Sequence, residues 1–173
     1  MEISLFTKCL FEFIGTLVLV LLGDGVVAST VLKRSKGFDG GWIVITIAWG
    51  LAVMCGVLIA GPYSGAHLNP AVSVGLAVAG SFPWAYVPGY VAAQLLGGFC
   101  GAVVVYLYYK DHFDATDDPA AKLGVFCTMP AIMDKPRNLF CEVVGTFLLV
   151  FVILAIGNEQ NTPEIGMGSL GSL

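Results

Sequence analysis

Charged residues are scarce in this chain, and from one long stretch they are missing. Asp, Glu, Lys and Arg make up 12% of the 173 residues, against about 25% in an ordinary soluble domain. None of these four occurs between Gly40 and Tyr109. Because apolar residues make up 57% of the chain, a water-soluble fold would expose large apolar patches. We therefore expect the chain to fold in a lipid bilayer.

Sequence patterns for catalysis, for metal binding and for nucleic-acid binding are also missing. The net charge is −4, and no clustered basic face favours a nucleic-acid partner. The five cysteines form no CxxC pair, and the two histidines, His67 and His112, have no companion ligands in sequence. Nucleotide-binding loops and nucleophile–base patterns are absent as well. We expect no enzyme, no cofactor and no metal site.

Long apolar runs predict membrane-spanning helices. A spanning helix needs about 20 mostly apolar residues, and the first run is too long for the core of a cleavable signal peptide. Four runs meet or approach the requirement: Leu10 to Leu32, Trp42 to Gly61, Ala85 to Tyr109 and Leu139 to Ile156. The sequence therefore predicts an all-α membrane protein with four transmembrane helices.

A shorter apolar segment between the second and third runs is broken by Pro62, Pro70 and Pro83. Its longest uninterrupted piece, Ala71 to Phe82, gives roughly 18 Å of helix at 1.5 Å per residue. That length is about half the hydrocarbon core, and nothing charged beside it holds it in water. We interpret it as a re-entrant half-helix.

The stretch Ser64-Gly-Ala-His-Leu-Asn-Pro-Ala-Val-Ser73 carries the functional prediction. Asn69 suits a helix N-cap and Pro70 suits the first helical position. The positive end of the half-helix then lies near the middle of the bilayer. The non-helical approach, predicted from Tyr63 to Leu68, exposes backbone carbonyls, which at that depth is tolerated only if the backbone is buried in protein or lines a wet cavity. Carbonyl acceptors followed by amide donors indicate a pore for water or hydroxyl compounds.

An internal repeat supports a transport architecture. The pattern E-x-x-G-T-x-x-L-V begins at Glu12 and again at Glu142, 130 positions later. Three crossings, including the one that contains the first copy, precede the second copy, so the second copy starts from the opposite face, as in inverted-repeat transport proteins. We expect one transmembrane domain over 1–173, with a first repeat at 1–109, a loop at 110–137 and the start of a second repeat at 138–173. A fifth helix should start near Leu173 and the half-helix motif should recur near 199, so we expect this chain to be a fragment.

Several residues inside the spans predict helix packing. Gly97 and Gly101 match the small-residue pattern for close helix contact, which we expect within one subunit. Gln94 is expected to form hydrogen bonds between helices. We expect Asp24 near the far end of its helix, facing other helices or water.

The motif SGAHLNPAV resembles the first signature of the aquaporin family of major intrinsic proteins, and the whole chain is similar to its glycerol-facilitator branch. The resemblance implies a right-handed helical bundle with a re-entrant half-helix, in the cell membrane as a homotetramer. It also implies passive diffusion of glycerol, related small uncharged solutes and water. Asn69, Pro70 and Ala71 would form the first of two facing Asn-Pro-Ala boxes. Three residues would present pore-lining carbonyls: Gly65, Ala66 and His67.

The resemblance assigns three further residues. Trp49 matches the bulky aromatic residue at the selectivity constriction of glycerol-conducting members. Glu12 and Glu142 match buried glutamates that brace the re-entrant loops by accepting backbone N–H bonds. The second Asn-Pro-Ala box and the constriction arginine have no counterpart in the 173 residues.

Two other functions fit the same patterns. An ion- or proton-coupled secondary transporter could use Glu12 and Glu142 as carriers, since it also shows inverted repeats and broken helices. A truncated, non-conducting membrane subunit is the other alternative. The distribution of Lys and Arg favours the N-terminus outside, whereas the family resemblance favours the N-terminus inside, and we adopt the latter.

Overall fold

The computed structural model describes residues 3–157, and within them all regular structure is helical. The long helices are α1 Leu5–Val31, α2 Gly41–Ser64, α4 Val87–Tyr108 and α7 Lys135–Ile156. The short ones are α3 Pro70–Val78, α5 Lys110–Ala115 and α6 Pro119–Gly124, with a 3₁₀ turn at Trp84–Tyr86 before α4. Four segments of the described chain, each containing one of the long helices, are long and apolar enough to cross a membrane. The predicted all-α membrane fold is confirmed.

Helix α1 is the centre of the bundle and packs against both α2 and α4. A Cβ atom at Gly101 would lie 2.7 Å from the carbonyl oxygen of Leu17, and one at Gly97 would clash with the carbonyl of Phe13. The two glycines therefore let the α1 and α4 backbones approach closely. The expected packing within one subunit is confirmed.

Helix α2 runs further than predicted. Pro62 lies inside it, and the helix ends only where Gly65 adopts the left-handed conformation at φ 84°. Proline removes one backbone donor, but here it does not end the helix. The prediction that the non-helical approach begins at Tyr63 was wrong, because Tyr63 and Ser64 are the last helical residues.

Helix α3 is shorter than the predicted apolar segment. It ends at Val78, and the chain then turns through Gly80, which has φ 76°. The backbone N–H of Ser81 donates to the carbonyl of Leu76 over 2.9 Å, which satisfies a terminal carbonyl of the helix. The predicted continuation to Phe82 was wrong because glycine is free to take this left-handed turn.

The long loop after α4 is packed against one end of the bundle. Phe113 and Val125 form an apolar cluster with Ala28, Leu32 and Val105. The loop acids at 114, 117 and 118 are exposed. The loop is therefore a structured cover that is held by apolar contacts.

Helix α7 lies beside α3, where Val150 contacts Gly75. None of its residues is buried. This leaves its apolar surface open to lipid or to other protein segments. The expected start of a fifth helix near Leu173 lies outside the described residues.

Candidate pore-lining site

Asn69 starts the half-helix as its N-cap. The side-chain Oδ1 atom of Asn69 accepts a hydrogen bond of 2.8 Å from the backbone N–H of Ala71, and Pro70 occupies the first turn. An asparagine cap satisfies one of the free N–H groups at the helix end, and proline costs nothing there. In the described chain, no residue accepts a hydrogen bond from the Asn69 Nδ2 group. Its amide hydrogens can therefore donate to another molecule.

The four residues before Asn69 have an unusual backbone. Gly65, Ala66 and Leu68 all have positive φ values, of 84°, 49° and 52°. The left-handed conformation costs a non-glycine residue about 1–2 kcal/mol. Such strain is maintained only where surrounding contacts enforce it, and it clusters at functional sites.

The Glu12 side chain supplies those contacts. Its Oε1 atom accepts from the backbone N–H of His67 over 2.9 Å, and its Oε2 atom accepts from that of Leu68 over 2.8 Å. Successive N–H groups in a turn of this kind form a concave site for an anionic oxygen. Glu12 is completely buried, so α1 fixes the shape of the loop from inside the bundle.

This bracing orients the loop carbonyls. In a trans peptide the N–H and C=O groups point in opposite directions, and the described chain has no cis peptide. The N–H groups of Ala66, His67 and Leu68 point toward Ser64 and Glu12. The carbonyls of the preceding residues, Gly65, Ala66 and His67, therefore point away from Glu12. Within residues 3–157 no donor satisfies them.

A buried network of side chains extends from Glu12 to α4. The Ser64 hydroxyl donates to Glu12 over 2.7 Å. The Gln94 amide donates to Glu12 over 2.8 Å and to the Ser73 hydroxyl over 3.0 Å. Ser73 in turn is hydrogen-bonded to Nδ1 of His67 over 3.0 Å. The expected interhelical role of Gln94 is confirmed, and the network joins α1, α2, α3 and α4.

Leu68 fixes the loop by packing, which the sequence analysis missed. A Cβ atom at Gly15 would lie 2.6 Å from one Leu68 methyl carbon, and one at Gly56 would lie 2.8 Å from the other. The two glycines thus form a recess for this side chain. Gly15 is the glycine of the repeated E-x-x-G-T pattern, and that repetition was the available signal.

Trp49 lies apart from the loop, in the wall of a cavity of about 920 Å³. It is seven residues from Gly56 on α2, which is about 10 Å along the axis. A Cβ atom at Gly23 would lie 2.6 Å from three carbons of its ring. The indole therefore lies flat against α1, at the end of the bundle that the long loop covers. Trp42 and Trp84 are largely exposed.

Glu142, the remaining candidate residue, does not join the site, and neither does His112. Glu142 is exposed on α7, and no described donor reaches its carboxylate. His112 is hydrogen-bonded through Nδ1 to the carbonyl of Lys33 over 3.1 Å. Across the described ranges, no group of three or more His, Cys, Asp or Glu side chains could hold a metal ion.

Four long apolar helices and a half-helix that begins inside the bundle define a multi-pass helical membrane protein with a re-entrant segment. The sequence matches the family described as Major intrinsic protein over residues 1–171. The chain belongs to the major intrinsic protein family. It is a multi-pass protein of the cell membrane, as the sequence predicted.

Two relatives of the chain are glycerol uptake facilitator proteins by name. The chain is 57% identical to the probable glycerol uptake facilitator protein of Thermotoga maritima, with 87% of this chain and 64% of the relative covered. It is 52% identical to the glycerol uptake facilitator protein of Bacillus subtilis, with 94% and 59% covered. The chain thus spans about three fifths of the length of these two relatives.

A solved structure shows the same fold. The X-ray structure of the aquaglyceroporin from Plasmodium falciparum superposes with a TM-score of 0.62 at 39% sequence identity. The match covers 68% of this chain and 48% of that one.

Proposed function

We propose that the chain contributes to a passive channel through which glycerol, related small uncharged solutes and water cross the membrane. The observation that carries this proposal is the row of carbonyls of Gly65, Ala66 and His67. They point away from Glu12 and have no donor within the described residues. The amide of Asn69 follows them at the N-terminus of α3. Acceptors followed by donors suit permeants that carry hydroxyl groups.

The same geometry discriminates against ions. The N-terminus of α3 carries a partial positive charge, and it begins inside the bundle, where the effective dielectric constant is low. A cation that approached Asn69 would therefore be repelled, whereas a neutral polyol would not. The names of the relatives and of the solved structure agree with a channel for uncharged solutes.

We propose specific roles for the other candidate residues. Glu12 braces the carbonyl row, and Trp49 stands at the selectivity constriction, where its apolar face packs against the carbon backbone of the permeant. Glu142 would brace a second re-entrant loop in the same way as Glu12. The division into a first repeat at 1–109, a loop at 110–137 and the start of a second repeat at 138–173 belongs to the same proposal, as does assembly into homotetramers.

A coupled transporter is the weaker alternative. Four donors engage both oxygens of Glu12, from the backbone of His67 and Leu68 and from the side chains of Ser64 and Gln94. A proton carrier needs access to water and a partner that changes during transport. The enclosure of Glu12 favours a fixed structural brace.

The test is stopped-flow light scattering on proteoliposomes. We expect glycerol and water flux without any ion or proton gradient, and we expect Asn69→Asp to lower both fluxes and weaken cation exclusion. The reason is that aspartate loses the amide donors and places a negative charge beside the helix terminus. Asn138→Asp is the matched control, because Asn138 lies at the start of α7, away from the loop before Asn69, and its side-chain amide donates only to the Ile132 carbonyl over 3.2 Å. Flux that requires a proton or sodium gradient would contradict the channel.

A further inference from the structure

One buried acidic side chain of the membrane-spanning helices, Asp24, takes no part in the bracing network. Asp24 lies in α1, seven residues before its last residue, which is about 10 Å along the axis. Only 7% of its surface is exposed. Within residues 3–157, no hydrogen-bond donor and no cation reaches its carboxylate.

An unpartnered carboxylate inside a membrane protein requires an explanation. Burial of such a group costs free energy unless hydrogen bonds or a counter-charge compensate it. Asp24 lines the same cavity of about 920 Å³ as Trp49. Its partner is therefore to be sought among molecules that enter that cavity.

The other polar side chains of the cavity wall either are hydroxyls, which are weaker acceptors than a carboxylate, or lie at the exposed rim. The hydroxyls of Thr30 and Thr46 donate to the carbonyls of Val26 and Ile43 in their own helices, over 2.7 and 3.1 Å. Asp39 lies at the exposed rim. No Lys or Arg of the described chain lines the cavity. Asp24 is thus the strongest hydrogen-bond acceptor deep in this wall.

An apolar aromatic face, the Trp49 ring, lies next to the Asp24 carboxylate in the cavity wall. Gly23 contacts the Trp49 ring, so the indole face and the Asp24 carboxylate belong to adjacent parts of one wall. A polyol has the matching character, since its C–H groups suit an aromatic face and its hydroxyls donate to a carboxylate. A solute of the same size with fewer hydroxyl donors would satisfy the carboxylate less well.

We propose that Asp24 is a specificity-determining residue of the cavity that it lines together with Trp49. There its carboxylate accepts hydrogen bonds from the hydroxyl groups of entering polyols. The inference rests on the proposed channel function. It adds a step in which the channel selects solutes at this cavity, before they reach Asn69. The selection depends on the number of hydroxyl donors and not on size alone.

The first test compares permeants in proteoliposomes. We expect Asp24→Asn to lower the ratio of glycerol to water permeability by about fivefold, since a neutral acceptor is weaker than a charged one. Asp24→Glu keeps a carboxylate and is expected to retain most of the ratio. Asp39→Asn, at the rim, serves as the matched control with a small effect. An unchanged ratio in Asp24→Asn, or an equal loss in Asp24→Glu, would overturn the proposal.

A second measurement needs no Asp24 variant, in case those variants fail to fold. In the unaltered protein we expect 1,3-propanediol to pass more slowly than glycerol after correction for lipid leakage, although it is the smaller molecule. Size selection alone predicts the reverse order. Faster passage of 1,3-propanediol would therefore overturn the proposal.

A binding measurement separates this inference from the channel function. With Trp42→Phe and Trp84→Phe, Trp49 is the only remaining tryptophan. We expect glycerol to change its fluorescence in detergent, and we expect Asp24→Asn to weaken the response about fivefold. This response without solute flux would refute the channel and keep the polyol site. Solute flux together with a fluorescence response to glycerol that Asp24→Asn leaves unchanged would refute the polyol site alone. A fluorescence response only to K⁺ would do the same.

Discussion

The Thr116 hydroxyl accepts a hydrogen bond of 2.9 Å from the backbone N–H of Lys33, which lies 83 positions earlier in the chain. Thr116 is almost fully buried and also donates to the carbonyl of His112 over 2.7 Å. The Lys33 N–H follows the end of α1, where no helical partner remains for it. Thr116 therefore joins the long loop to α1, beside the cavity that Asp24 lines.

We expect Thr116→Val to loosen the loop without unfolding the bundle. Valine has nearly the same shape but leaves the Lys33 N–H without its acceptor, which costs about 1–1.5 kcal/mol. Amide hydrogen exchange at residues 113–125 should then accelerate about tenfold, because local opening becomes easier. Exchange in α1 and α4 should change little.

Thr128→Val is the matched control for the loop. Thr128 is exposed in the same loop, and its hydroxyl forms no hydrogen bond with any described residue. Equal acceleration in both variants would show that the contact between Thr116 and Lys33 does not hold the loop.

The recess for Leu68 gives a prediction on the two copies of the repeat. Gly15→Ala places a methyl group 2.6 Å from the Leu68 side chain and 2.9 Å from Ala60. Such overpacking destabilises a protein by about 1–3 kcal/mol. We expect this loss of unfolding free energy in a titration from mild detergent into dodecyl sulfate.

Gly145→Ala is the control, because Gly145 is the corresponding glycine in the second copy of the repeat. No described atom lies within 4 Å of a Cβ atom at Gly145, and alanine favours helix over glycine by about 1 kcal/mol. This variant should be neutral or slightly more stable. A loss as large as that of Gly15→Ala would contradict the assigned role of Leu68.

The strained loop before Asn69 depends on a carboxylate. We expect Glu12→Gln to destabilise the loop by about 2–4 kcal/mol. The glutamine amide has only one acceptor oxygen, and its NH₂ group would lie against N–H donors that now bind the second carboxylate oxygen. Hydrogen exchange at the N–H groups of His67 and Leu68 measures this directly. Glu142→Gln should leave exchange at these two positions unchanged. Protection that persists in Glu12→Gln would mean that packing alone maintains the loop.

The sequence predicted the helices of the bundle well because apolar length is a direct physical requirement of the bilayer. Asn69 and Pro70 predicted the start of α3 because capping chemistry is local. The end of α2 was misplaced because proline near a helix end is tolerated when neighbouring groups compensate. Local sequence could not show which compensation is present.

Contacts between distant segments were beyond local patterns. Nothing in the sequence pairs Leu68 with Gly15 and Gly56, since the recess exists only after α1 and α2 have packed. Thr116 likewise lies among the acids Asp114, Asp117 and Asp118, and no local pattern pairs it with Lys33. The brace by Glu12 entered only through family resemblance, and its hydrogen bonds to His67 and Leu68 now give it a physical basis.

An ion pair at the start of the loop gives a prediction on pH. The Lys110 ammonium contacts both carboxylate oxygens of Asp114 over 2.5 Å, and this hydrogen bonding raises the pKa of Lys110 above its ordinary value. Because the folded pKa is raised, the contact stabilises the loop fully below the ordinary lysine pKa. This contribution is lost as pH rises through the raised pKa. Nearby Asp111 raises the pKa by a smaller amount.

Substitutions of Asp114 and Asp111 distinguish their contributions to the pKa of Lys110. We expect Asp114→Asn to lower the pKa of Lys110 back toward its ordinary value, because it removes the largest cause of the shift. Asp111→Asn should lower it less. Carbon-13 NMR of labelled lysine side chains, titrated between about pH 9 and 12 around the lysine range, measures both changes. If the two variants shift the Lys110 titration equally, the direct contact with Asp114 is not the main cause.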